Sequence, residues 1–262
     1  MNSDSYINYQ ISDGIAVLTL NRPQVRNAIN DEMREELCKV LDDARRNPEV
    51  RALVVTGAGK GFCSGGDIRA MQQRMQASTG EVAFNGWSRQ QRTHRAMTML
   101  FELPKPVIAA VNGASTGLGS DLAMACDFVI ASQEHGSFAW NYALRGLIPD
   151  GGGMYFLPRR VGITRAKELV FSCRTVRAEE ALAIGIADRV VQAESLVDDA
   201  VAWAKSMTVG SPTALALGKT ILNQSFEMSA EQVFGQGSQA QAICYSSHEH
   251  RAAVEAFLSR TK

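Results

Sequence analysis

Two glycine-rich turns and one aspartate, Asp150, carry the chemistry this sequence can offer. The first turn, residues 112–119 (Asn-Gly-Ala-Ser-Thr-Gly-Leu-Gly), follows the apolar run 107–111 and precedes helical patterning over 121–126. The proline-bounded run predicts a buried strand, and the turn is too glycine-rich for a strand or helix interior. Such a strand–turn–helix unit aims free backbone N–H groups at whatever sits over the turn, backed by the positive end of a helix dipole. An enzyme that must hold a developing oxyanion needs that arrangement. The second turn has the same grammar: a strand candidate at 51–56, a glycine-rich loop at 57–67 (Gly-Ala-Gly-Lys-Gly-Phe-Cys-Ser-Gly-Gly-Asp) and helical spacing over 68–75. Two such turns can set their amides on either side of one carbonyl oxygen.

Asp150 lies in Gly146-Leu-Ile-Pro-Asp-Gly-Gly-Gly153, between apolar residues and a glycine turn that should open another helix. There it serves either as a helix N-cap or as a carboxylate on a pocket wall, where partial desolvation raises its pKa toward acid/base duty. Trp140 and Tyr142, just upstream, line a substrate pocket or pack the core.

Other motifs compete. Gly57-Ala-Gly-Lys-Gly61 resembles a phosphate loop, but a dinucleotide fingerprint needs glycine where Phe62 stands, and a Walker loop needs different spacing. Gly113-Ala-Ser115-Thr-Gly117 formally matches a nucleophile elbow, with His248 or His250 late enough in the chain to act as base. No His-Gly-Gly loop lies upstream, and 249–251 reads as the solvated face of the last helix. The four histidines lack ligand spacing, so no metal is expected.

The elements that must position these groups alternate. Strand candidates at 15–20, 51–56, 107–111 and 128–131 interleave with helix candidates at 30–46 (capped by Asn30 or Asp31), 81–102 and 121–126. That order predicts an α/β fold with a largely parallel sheet. From 164 onward alanine- and glutamate-rich periodic segments predict packed helices with one short strand at 188–191. The expected division is a core over 1–200 that carries the site and a helical region over 201–262.

Bulk numbers restrict partners. The 262 residues suit one sizeable domain, and 27 basic against 27 acidic residues give no global field favouring nucleic acid or an anionic membrane. Any anionic ligand must be met by local positive charge. Five dispersed cysteines without a C-x-x-C pair point to reduced, mostly buried thiols. The N-terminal stretch lacks a basic and apolar leader pattern, no run reaches membrane-spanning length, and Arg260-Thr-Lys262 is no peroxisomal address, so a cytoplasmic location is expected.

Taken in order, six landmarks resemble the crotonase (enoyl-CoA hydratase/isomerase) family over nearly the whole chain. They are Asn21-Arg-Pro-x-x-x-Asn27-Ala, Gly59-x-x-Phe-Cys-Ser-Gly-Gly-Asp67-Ile, Lys105-Pro-Val-Ile-Ala-Ala-Val-Asn-Gly113, Leu122-Ala-Met-Ala-Cys-Asp127, Gly146-Leu-Ile-Pro-Asp-Gly-Gly-Gly153 and Leu182-x-x-Gly-Ile-Ala-Asp188. The resemblance implies a spiral core of ββα units, a C-terminal helical trimerisation region, a homotrimer or hexamer, and an acyl-CoA ligand. Coenzyme A would enter as part of the substrate, with no separate cofactor. By position the oxyanion hole falls on the backbone N–H groups of Gly66 and Leu118; leucine stands where glycine is usual and restricts the turn's dihedrals. Ser64, Gly65, Asp67 and Ile68, with Arg26, Asn27 and Ala28, would lie near the adenine and pantetheine. Arg22, Arg26 or Lys60 would meet phosphates.

The departures matter as much. Family hydratases carry one glutamate where Asp121 stands and a second where Tyr142 stands. Asp150 matches the acid/base position of several double-bond isomerases. The resemblance therefore implies double-bond isomerisation of an enoyl-CoA first, with Asp150 shuttling the proton, and water addition by Asp121 and Asp150 second. Hydrolysis through Ser115, or acyl-CoA binding without turnover, are further alternatives. Residues 72–93 are expected to cover the acyl pocket.

Overall fold

A computed structural model describes residues 5–260. The first four residues, part of the stretch read for a leader, and the last two, read for a targeting address, lie outside the described residues.

The chain opens as a hairpin: β1 (Ile7–Ser12) pairs antiparallel with β2 (Ile15–Leu20), Ile7 facing Leu20. Asp13 and Gly14 between them take φ of 51° and 81°, as a two-residue primed turn requires. The sequence reading began its strands at Ile15 and missed β1. Of its side chains only Ile7 is buried, so the apolar pattern is weak, although Asp-Gly ahead of an apolar run was a usable hairpin signal.

Helix α1 (Asp31–Arg46) follows, and its limits are legible in its chemistry. Asn30 accepts a hydrogen bond from the Met33 amide at 3.0 Å, and Met33, Leu37, Leu41 and Ala44 form the buried stripe. Fully burying each large member of that stripe stabilises the fold by about 1.5–3 kcal/mol.

Three turns of a spiral come next, each laying one strand in a large sheet and one in a small sheet before its helices. The first contains β3 (Ala52–Gly57), β4 (Gly61–Cys63), α2 (Ile68–Arg74) and α3 (Thr79–Phe101). The second contains β5 (Val107–Val111), β6 (Ala114–Thr116) and α4 (Leu118–Met124). The third contains β7 (Phe128–Ser132), β8 (Ser137–Ala139) and α5 (Gly153–Val161). After these run α6 (Ile163–Ser172), β9 (Val176–Arg177), α7 (Ala178–Ile184), β10 (Arg189–Val191), α8 (Leu196–Met207), α9 (Pro212–Gln224), α10 (Ala230–Ser246) and α11 (His248–Arg260). The six-stranded sheet has the order β1-β2-β3-β5-β7-β10, parallel beyond its first pair, and the four-stranded sheet has the order β4-β6-β8-β9.

The predicted α/β class with a parallel sheet and C-terminal helices is therefore present, with a second sheet that was not foreseen. The turns 57–67 and 112–119, read as free of strands, each contain one of its three-residue strands, β4 and β6. Such short strands carry no period of their own. Tertiary pairing makes them strands, β4 on β6 and β6 on β8. Helix α4 also starts at Leu118, earlier than the 121 expected.

Alternate residues of the large sheet face two cores. Leu53, Val55 and Ala109 face the larger one with α1, α3 and α4, whereas Ala52, Val54 and Ile108 pack under Leu196, Ala200 and Ala204 of α8. From α9 to the end no described side chain is fully buried, and Leu222, Phe226, Phe234 and Phe257 are exposed. Among the described residues no helix is long and apolar enough to cross a membrane. The five cysteines are free, but only Cys63 and Cys126 are buried, fewer than expected.

Candidate active site

Asn27 is the keystone of the first glycine loop. Fully buried and at φ 56°, it donates through Nδ2 to the carbonyls of Ala58 (3.0 Å), Gly61 (2.8 Å) and Phe62 (3.1 Å). Its Oδ1 accepts from the Arg22 amide at 2.9 Å. Asp67 caps α2 through the Arg69 and Ala70 amides and pairs with Arg22 at 3.0 Å. Ser64 donates its hydroxyl to the Val25 carbonyl. Arg22, a candidate for phosphates, is thus committed to Asp67 and the Ala28 carbonyl, whereas Arg26, Lys60 and Ile68 are exposed.

The two glycine turns press against each other. A Cβ on Gly119 would stand 2.1 Å from the Cys63 carbonyl oxygen, and one on Gly65 would stand 2.8 Å from the Thr116 oxygen and 3.4 Å from the Leu118 nitrogen. The Thr116 hydroxyl donates to the Ser64 carbonyl at 3.1 Å. Gly119→Ala is therefore expected to prise the turns apart, with a stability loss of about 1–3 kcal/mol measurable by urea unfolding.

Among the described residues neither the Gly66 nor the Leu118 amide donates a hydrogen bond. Leu118 is the first residue of α4, so its N–H has no partner within the helix. The dihedral restriction expected of leucine here costs nothing: the left-handed position of the turn is Gly117, at φ 54°, and Leu118 is not among the positive-φ residues.

Asp121 and Asp150 have opposite surroundings. Asp121 is wholly buried, and its Oδ1 accepts from Trp140 Nε1 at 3.0 Å. Its Oδ2 accepts from the Tyr142 hydroxyl at 2.6 Å and from the Gly151 amide at 3.1 Å. Trp140 and Tyr142, offered as pocket residues, are buried on this carboxylate and line neither cavity described below. Burial pushes the Asp121 carboxyl up to about 7, against the three donors that favour its ionised form. In Asp121→Asn one amide donor must face another donor, costing about 1–3 kcal/mol. The raised folded pKa means that the wild-type carboxyl favours folding most below about pH 4 and loses that contribution as pH rises through about 7. The variant's deficit in urea unfolding should therefore be larger at about pH 5 than at about pH 8.

Asp150 is half-buried and is not the helix cap; the N-cap position of α5 belongs to Gly152, and the Asp150 carboxylate turns toward α3. There Gln90 Nε2 donates to Oδ2, and His94 Nε2 lies 2.8 Å from the Asp150 carbonyl oxygen. Burial raises its pKa while the nearby Arg89 guanidinium pulls it down. The net direction is upward, suited to a base that must also release its proton. Asp150 and His94 wall a cavity of about 450 Å³ with Met97, Phe101, Met154 and Tyr155. The sequence reading missed Gln90 and His94. Their spacing, i and i+4 on one helix face, was the available signal.

Ser115 is not on an elbow. It sits inside β6, fully buried, its Oγ without a hydrogen-bond partner. His248 and His250 lie on α11, where the His250 ring packs against Tyr245. Among the described residues no histidine hydrogen-bonds to the Ser115 Oγ, so this geometry does not support the hydrolase alternative.

Comparisons with known proteins agree with this architecture. The family model described as enoyl-CoA hydratase/isomerase matches residues 10–262. The short-chain-enoyl-CoA hydratase of Clostridium acetobutylicum is 33% identical, over 95% of this chain and 92% of that protein. The 1,2-epoxyphenylacetyl-CoA isomerase of Escherichia coli is 34% identical, over 97% and 96%. The crystal structure of an enoyl-CoA hydratase/isomerase from Cupriavidus metallidurans CH34 superposes with a TM-score of 0.90 at 33% identity, over 99% of this chain and 96% of that one. With its ββα spiral, paired glycine turns and matched length, this chain belongs to the enoyl-CoA hydratase/isomerase family, whose crotonase fold it adopts.

Proposed function

We propose that the protein isomerises the double bond of an enoyl-CoA, with Asp150 as the sole proton carrier. The observation that carries this is the contrast between the two aspartates: Asp150 opens on a cavity, whereas the Asp121 carboxylate is wholly buried and already accepts three hydrogen bonds. With a 3-enoyl thioester, the Asp150 carboxylate takes a proton from C2, and the electron pair moves onto the thioester oxygen as a dienolate. The acid then returns that proton to C4, the double bond settles between C2 and C3, and Asp150 is again ionised. The amides of Gly66 and Leu118 would hold the oxyanion, each worth about 2.7–4 kcal/mol at the transition state. Their lack of other partners supports the role.

Asp121 acts in this scheme as a positioning residue, holding the Gly151 amide and so the aspartate next to it. Water addition through Asp121 and Asp150 ranks second, because a carboxylate with no exposed surface has no face for water. The relatives' names include both a hydratase and an isomerase. Coenzyme A would lie along Arg26, Asn27, Ala28 and 64–68, entering as part of the substrate with no separate cofactor. The exposed Leu222 on α9, Phe234 and Ile243 on α10 and Leu258 on α11 support a homotrimer or hexamer joined through the C-terminal helical region.

Incubation with 3-enoyl-CoA and 2-trans-enoyl-CoA, followed by absorbance and mass, tests the proposal. An isobaric shift between the two is expected. A gain of one water would instead make the protein a hydratase, and no change in either would make it a binding protein.

A further inference from the structure

A second cavity, about 430 Å³, opens between α2, α3 and the loop after β8. Met71, Met75 and Leu147 supply apolar wall, and Arg74, Arg89 and Arg145 also line it. It adjoins the proposed chemistry on two sides. The Met71 methyl lies 2.7 Å from where a Gly66 Cβ would stand, and Arg89 precedes the Gln90 that binds Asp150.

The charges around it do not balance. Asp31 is engaged by Arg34 at 2.6 Å and by Arg92 at 3.4 Å, and Asp67 is engaged by Arg22 at 3.0 Å. Among the described residues none of Arg74, Arg89 and Arg145 forms an ion pair, and the Arg89 Nε is buried without an acceptor. Asp150 and Asp31 act on Arg89 in the opposite sense, but burial and repulsion from Arg74 and Arg34 prevail and weaken its hold on its proton, the cost of leaving guanidinium groups together in a half-closed space. A purely hydrocarbon chain would leave that cost standing. A planar carboxylate would relieve it through the paired N–H···O bonds that guanidinium groups favour.

We propose that this cavity receives an acyl chain ending in a carboxylate, gripped by Arg74, Arg89 and Arg145, so that the substrate is the CoA thioester of an unsaturated dicarboxylic acid. The chain would leave the thioester at Gly66, pass the methionines and end at the arginines. The proposal rests on the acyl-CoA thioester reading, but not on which reaction follows.

Equilibrium binding of adipoyl-CoA and hexanoyl-CoA tests it, since the two have equal length and no double bond to shift. Adipoyl-CoA should bind at least about 10-fold more tightly to the wild type. That ratio should collapse toward one in the Arg74→Met/Arg145→Met double variant. Equal binding, or a preference for hexanoyl-CoA, in the wild type overturns the proposal and leaves the thioester reading intact. If neither thioester binds, both fall. If the double variant weakens free CoA as much as adipoyl-CoA, the arginines belong to the CoA phosphates and the proposal is overturned.

Discussion

Asp150→Asn should lower the isomerisation kcat by about 10²–10⁴-fold while leaving the fold and acyl-CoA binding in place. The substitution is isosteric, and the asparagine oxygen can still accept from Gln90, so the wall of the cavity keeps its shape. It removes the one property the mechanism needs, a group that takes a proton at neutral pH and returns it. The pH profile carries a second signature. Catalysis needs the ionised form, and burial raises the Asp150 pKa, so kcat/KM should climb with pH through a value above the ordinary carboxylate range. The variant should lack that limb. Wild-type-like turnover by Asp150→Asn, with unchanged urea unfolding, would remove this residue from the chemistry.

Asn27→Asp is expected to be the most damaging single-atom change to stability. The native Nδ2 satisfies three carbonyl oxygens of the first glycine loop in a fully buried site. Aspartate would turn a carboxylate oxygen on the same three acceptors, leaving a buried charge without compensation. Such a charge costs about 3–5 kcal/mol, a large part of the 5–15 kcal/mol that holds a typical domain together. Loss of soluble folded protein, or a steep fall in the urea midpoint, is the expected result. The left-handed φ is not the cause, since aspartate tolerates that region about as well as asparagine. A variant as stable as wild type would mean that the loop does not depend on this amide.

Much of the frame was readable beforehand because it is local. The apolar runs that became β2, β3, β5 and β7 are continuous and bounded by turns or prolines, and α1 shows both its cap and its buried stripe. What escaped was the second sheet. Its three-residue strands have no period to detect and are strands only because the spiral stacks them. The G-x-S-x-G match is uninformative for the same reason: whether a serine tops a turn or lies inside a paired strand depends on its neighbours in space.

The glycine turns, their place between strand and helix, and the two aspartates were determined by the sequence alone, since backbone freedom and helix starts depend on adjacent residues. Which aspartate remains available was decided only by the tertiary structure. Trp140 and Tyr142 reach Asp121 across 19 and 21 residues and enclose it, whereas Gln90 and His94 approach Asp150 from 60 and 56 residues away and leave one side open. Solvation and hydrogen-bond occupancy set what a carboxylate can do, and both are properties of what packs around it, not of the residues beside it in the chain.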